Sequence, residues 1–91
     1  MYIYKYSERF KEVLVKLSKR DINLYERVLK KVEEIINSYD VGHYKNLRYD
    51  MKDYKRVQIG HFVLVFIFDK KNNMVSFEDF NHHDIVYKKK F

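Results

Sequence analysis

Phe62-Val63-Leu64-Val65-Phe66-Ile67-Phe68 is apolar at every position, and no other feature of the chain limits its fold so strongly. β-Branched and aromatic residues favour extended backbone, in which successive side chains point to opposite faces. Such a run must be kept dry on both sides, as a central strand covered twice, or it leaves one face for a partner. Tyr54–Ile59 before it and Met74–Phe80 after it read as flanking strands, joined through Gly60-His61 and through Asp69-Lys70-Lys71-Asn72-Asn73. Connections this short make an antiparallel meander. In the first flanking strand Val57 and Ile59 share one face, while Tyr54, Arg56 and Gln58 share the other and give it positive charge.

The cover for this sheet lies upstream. Tyr2-Ile3-Tyr4-Lys5-Tyr6 alternates as a first strand, and Ser7 offers an N-cap. Phe10, Val13, Leu14 and Leu17 then recur as one helical stripe. Asp21 caps a second helix whose apolar positions, Tyr25, Val28, Leu29, Val32, Ile35, Ile36 and Tyr39, keep the period for about four turns, and Gly42 stands where a C-terminal cap belongs. Only Ser18-Lys19-Arg20 separates the two helices, which predicts an antiparallel hairpin with both stripes on one side. The expected fold is α+β: an N-terminal strand, then a two-helix hairpin packed on a twisted antiparallel sheet of about four strands. At 91 residues one domain spanning 1–91 is expected, with no linker or repeat.

The chain has no cysteine, which excludes disulfides, thiolate metal ligands and a cysteine nucleophile. No apolar run approaches the roughly 20 residues that span a bilayer, and Met1-Tyr2-Ile3-Tyr4-Lys5 does not open a signal peptide, so a cytoplasmic protein away from membranes is expected. A charge of +6, from 19 Lys and Arg against 13 Asp and Glu, favours an anionic partner, with nucleic acid foremost. A surface tuned only for solubility or heat would have a similar balance.

Two groups of residues point to chemistry. Lys45, Arg48, Lys52, Lys55 and Arg56 are interleaved with Tyr44, Tyr49 and Tyr54, and cations for phosphates beside rings for bases suit single-stranded RNA. A solvated basic loop beside core tyrosines has the same composition. Asn81-His82-His83-Asp84-Ile85-Val86-Tyr87 follows the last strand and holds groups able to move protons when a 2′-hydroxyl attacks the next phosphate. A zinc site is the rival use of His82, His83 and Asp84, but adjacent histidines on extended chain point to opposite sides, so neither metal nor organic cofactor is expected. Whether the tail is a last short helix or a flexible arm is left open by its pattern. No Gly-rich phosphate loop or nucleophile elbow is present, which argues against ATP use and serine hydrolysis.

Lys45-Asn46-Leu47-Arg48 is similar to a Lys-Pro-Leu-Lys stretch, Arg56-Val57-Gln58-Ile59-Gly60 to Arg-Val-Arg-Val-Gly, and His82-His83-Asp84-Ile85-Val86-Tyr87 to a terminal His-Arg-x-x-Val-Tyr. In this order, across nearly the whole chain, they resemble the RelE/ParE superfamily, and within it the archaeal RelE-like toxins. The resemblance implies a type II toxin that enters the ribosomal A site, cleaves the mRNA there and arrests translation, and is neutralised by a RelB-like antitoxin in a hetero-oligomer. It implies that Arg56 binds phosphate and stabilises the transition state, that Tyr87 is the terminal catalytic tyrosine, with His82 and His83 beside it, and that Lys45, Arg48, Lys52 and Lys55 bind RNA. Gln58, Val63 and His83 stand where the family's pattern has cations. Two rival readings follow: a catalytically weak or dead homologue that binds antitoxin only, and a ParE-like topoisomerase inhibitor.

Overall fold

At Ser7 the chain leaves its first strand, β1 (Ile3–Tyr6), and enters α1 (Glu8–Arg20). The Ser7 hydroxyl accepts from the Phe10 N–H at 3.0 Å, satisfying a donor that the first helical turn would otherwise leave bare. The computed structural model describes residues 2–47 and 53–88. α1 runs straight through Ser18-Lys19-Arg20, because Ser18 satisfies its hydroxyl on the Val15 carbonyl at 2.7 Å and Lys19 and Arg20 complement the negative helix end. Asp21 alone joins it to α2 (Ile22–Ile36). Its N–H closes α1 on the Leu17 carbonyl at 2.9 Å, and its carboxylate caps α2 by accepting from the Leu24 N–H at 3.1 Å.

α2 stops before its apolar period does. The Asn37 side-chain amide donates to the Glu33 carbonyl at 2.9 Å and completes the last turn, leaving Tyr39 fully exposed. Gly42 is therefore no helix cap. It belongs to a 3-10 turn, Val41–His43, where its N–H bonds to Asp40 Oδ1 at 2.9 Å and an added Cβ would stand 3.0 Å from that same oxygen.

The meander forms as expected: β2 (Tyr54–Ile59), β3 (Phe62–Asp69) and β4 (Met74–His82), followed by a short helix, α3 (His83–Val86). Gly60, at φ 61, supplies the left-handed residue of the β2–β3 turn, and the Asp69 carboxylate holds the β3–β4 turn by accepting from Asn72 N–H at 3.2 Å and Nδ2 at 2.7 Å. The sheet order is β1-β4-β3-β2, and β1 runs parallel to β4, so the sheet is mixed where the pattern had suggested antiparallel strands only. A parallel neighbour needs a long crossover, which the helical hairpin provides. Two helices on a four-stranded sheet make the α+β fold.

The helices bury Phe10, Leu14, Val28, Val32 and Ile35 against Leu64, Phe66, Val75, Phe77 and Phe80. On the opposite face of the sheet a smaller cluster joins Leu47, Val63, Val65 and Val86, with Tyr54 packed on it. The β3–β4 register shifts between Val65 and Phe66, so Glu78 bulges out of the ladder. Ser7 uses that bulge: its hydroxyl donates to the Glu78 carbonyl at 2.9 Å, and its N–H to the Phe77 carbonyl at 2.9 Å. Among the described residues no helix is long and apolar enough to cross a membrane.

Ser7→Ala removes a helix cap and a strand anchor together. Urea unfolding should show a loss of about 1–2 kcal/mol at unchanged slope. Burial, then the neighbouring Tyr4 and Tyr25, raise the Tyr6 hydroxyl above its ordinary 10.0. Above that pH the unfolded chain releases the proton before the folded one does, so stability falls as pH rises. Melting curves of Tyr6→Phe should show a shallower alkaline decline than those of the parent chain.

Candidate functional site

Residues 45–47 add a short pairing to the outer edge of β2. Asn46 bridges Lys55, the Leu47 N–H donates to the Tyr54 carbonyl at 2.8 Å, and the Arg56 N–H donates to the Lys45 carbonyl at 3.0 Å. Opposed residues of an antiparallel pair share a face. This register therefore sets Lys45 beside Arg56 and Leu47 beside Tyr54. Across the next ladder Arg56 faces Val65. Lys45, Arg56 and Val65 form one row on the face turned away from the long helices, with Lys45 exposed and Arg56 half-buried.

Lys55 goes the other way. It lies opposite Phe66, on the side of α1 and α2, and its ammonium donates to Asn46 Oδ1 at 2.8 Å with only 9% of the residue exposed. Alternation along β2 thus separates Lys55 from Arg56. Arg48 and Lys52 lie outside the described residues.

The other half of the site comes from the chain end. β4 continues past Phe80 to His82 before α3 begins, so the tail is a short helix through Val86. His82 caps that helix, Nδ1 accepting from the Asp84 N–H at 3.2 Å, and the His83 N–H is held by the His61 carbonyl at 3.0 Å. Val86 is fully buried on Leu47, Val63 and Val65. Because Val65 is the ladder partner of Arg56, seating Val86 there brings Tyr87 to the face that carries Arg56 and Lys45. The Tyr87 N–H closes the turn on the His83 carbonyl at 3.1 Å, and 40% of the residue is exposed.

The turn from β4 into α3 also overturns the expectation that His82 and His83 point apart. Their rings lie 4.4 Å apart at 30°, and the His82 ring stacks over that of His61 at 6.3 Å. Asp84 draws both together, with Oδ1 3.0 Å from His83 Nδ1 and Oδ2 3.7 Å from His82 Nδ1. The face thus offers a guanidinium and an ammonium for phosphate and a phenol able to move protons, while the two imidazoles meet where β4 turns into α3, with His82 opposite Phe62 on the helical side of the ladder.

Two of the unusual residues also find their place. Val63 is 2% exposed within the cluster that seats Val86, so a long cation there would unseat α3. Gln58 is exposed and donates through Nε2 to the Gly60 carbonyl at 2.9 Å, bracing the turn. Sequence reasoning missed Leu47, Val86 and His61 as positioning residues. Val86 stood only as a position in the terminal motif with no seat assigned to it, and His61 only in a two-residue turn.

No protein-family model matches the chain. It is 48% identical over 91 residues, 99% of its own length and 95% of the relative's, to a protein of Methanocaldococcus jannaschii described as "Putative toxin RelE4". The fold is similar to that of the isolated E. coli RelE toxin, with a TM-score of 0.73 at 19% identity over 90% of this chain and 84% of that one. It is equally similar to a chain of the intact E. coli RelBE toxin–antitoxin complex, with a TM-score of 0.73 at 19% identity over 90% of this chain and 96% of that one.

If Val86 seats the chain end, Val86→Ala should cost about 2 kcal/mol of global stability. Amide exchange at Tyr87 and Lys88 should quicken by more than that at Leu64, which rests on the other core. Equal acceleration at all three would mean that α3 is not separately anchored.

Proposed function

The chain belongs to the RelE family of toxins, and on that premise we propose that it is a ribosome-dependent endoribonuclease that cuts mRNA in the A site and thereby arrests translation. The observation that carries this reading is the row Lys45, Arg56 and Val65, with Val86 seated on Val65 and Tyr87 following it. In that arrangement Arg56 and Lys45 hold the RNA phosphates, and Arg56 stabilises the charge that gathers on the phosphorane. Tyr87 and His83 are the candidates for taking the proton from the 2′-hydroxyl and returning one to the leaving oxygen, with His82 behind them as the cap that fixes α3. Arg48 and Lys52 extend the phosphate contacts, whereas Lys55 acts through Asn46 by holding residues 45–47 on β2. No metal or organic cofactor has a step in this reaction, and the setting is the cytoplasm, where ribosomes and mRNA are met.

A RelB-like antitoxin is the proposed regulator, forming a hetero-oligomer with this chain. Support comes from the similarity to a chain of the RelBE complex and from a groove of about 400 Å³ beside α1. Leu17, Phe62 and Phe80 line it together with Lys16 and Arg20, beside Glu12 and the Arg9 that pairs with Asp79. Apolar walls among cations suit a partner segment that is both apolar and acidic.

Primer extension on mRNA in a translating archaeal extract tests the nuclease. The chain should create new 5′ ends at ribosomal A sites. Arg56→Ala should lower the cleavage rate about 10²- to 10³-fold, and Tyr87→Phe about 10²-fold or more. Intact mRNA with unimpaired translation would instead support the antitoxin-binding homologue, to which the loss of cations at Gln58 and Val63 already points. Inhibited DNA supercoiling without cleavage would support the topoisomerase reading.

A further inference from the structure

We infer that His82, His83 and Asp84 form a binding site for one divalent transition-metal ion of the zinc type. Each residue offers one ligand atom, and the three atoms lie within 4.8 Å of one another. Zinc bonds of about 2.0–2.2 Å in a tetrahedron require donors about 3.3–3.5 Å apart. The separations of 3.0 Å from His83 Nδ1 to Asp84 Oδ1 and 3.7 Å from His82 Nδ1 to Asp84 Oδ2, each to a different carboxylate oxygen, lie close to that spacing. Turning the Asp84 carboxylate so that one oxygen lies between the two imidazoles supplies three corners, and water fills the fourth.

The donors are held before any ion arrives. The His83 backbone is fixed through its N–H on the His61 carbonyl with its ring 4.4 Å from that of His82, and His82 is held through its packing against Phe62, with ring centroids 5.8 Å apart. The His82 Nδ1 accepts from the Asp84 N–H, so its lone pair already points towards Asp84 and the ring's proton is on Nε2. An ion replaces that hydrogen bond with a stronger one-sided attraction to the same lone pair. The side chains of His82, His83 and Asp84 are 38%, 41% and 66% exposed, which leaves an open approach from solvent. Two imidazoles with one carboxylate select zinc, cobalt, nickel or copper over magnesium and calcium, which prefer all-oxygen shells. Only the further step, that an ion held here stops His82 and His83 carrying protons, rests on the proposed nuclease; the binding itself does not.

Titration calorimetry of the untagged full chain with Zn²⁺ alone, repeated with Co²⁺ to read coordination from its visible absorption, tests the site. One ion per chain should bind, Co²⁺ should show the intense bands of tetrahedral coordination, and Mg²⁺ should give no saturable heat. His82→Ala and His83→Ala should each weaken Zn²⁺ binding by more than about tenfold, and His43→Ala, on the separate 3-10 turn, should leave it unchanged. Asp84→Asn keeps both imidazoles and the cap geometry, and should weaken binding even if a histidine variant folds poorly. Absence of saturable binding, equal affinity in the double variant His82→Ala/His83→Ala, or an equal loss in His43→Ala would overturn the assignment. Messenger cleavage measured with and without Zn²⁺ is a separate readout, so a failed nuclease would leave the metal result intact.

Discussion

Val63, Leu64, Val65 and Phe66 are all buried, so β3 must be shielded from water on both faces at once. The two long helices close the Leu64 and Phe66 side with an ordinary core. They cannot reach the other side. That face is closed by Leu47 from the pairing on β2 and by Val86 from the chain end, contributing to a much smaller cluster. Burying a valine side chain removes apolar area worth roughly 1.5–3 kcal/mol, enough to hold a one-turn helix that has no stability of its own. The candidate site is a by-product of this constraint. Arg56 and Tyr87 share a face because Arg56 is the ladder partner of Val65, and Val86, the residue before Tyr87, is needed to keep Val65 dry.

A second dependence joins helix to strand at the β4 bulge. Asp79 is fully buried, and a buried carboxylate is costly unless it is paired. Arg9, in the first turn of α1, meets it at 3.2 Å, and the Phe80 N–H donates to it at 2.9 Å. Together with Ser7 on the freed Glu78 carbonyl, this fixes α1 at one point along β4. The irregularity in the ladder is thus what docks the hairpin, and without it the groove between α1 and Phe62 would have no defined width.

How much could be read from the sequence follows how local each cause is. The two helical stripes, the three meander strands and the caps at Ser7 and Asp21 depend on residues a few positions apart, and all were legible. The end of α2 was not, because the Asn37 side chain satisfied the last turn before Gly42 could. Nor was the direction of β1, since parallel or antiparallel pairing with a distant strand leaves no mark on its own residues. Within the site, Arg56 could be placed by alternation along β2, and the same alternation sends Lys55 to the helical side with Val57 and Ile59. The meeting of His82, His83 and Asp84 was illegible, because it depends on α3 starting at His83, which the distant His61 carbonyl and the seat for Val86 decide.

The pairing of β1 with β4 has a kinetic side. Ser7 and Glu78, which lock the two strands, are 71 residues apart in sequence, so closing the sheet waits on one of the longest loops the chain can form. During synthesis β1, α1 and α2 emerge first and must wait for β4, the strand that completes their core. The core and the face bearing Arg56 and Tyr87 can therefore be assembled only after β4 has followed both helices out.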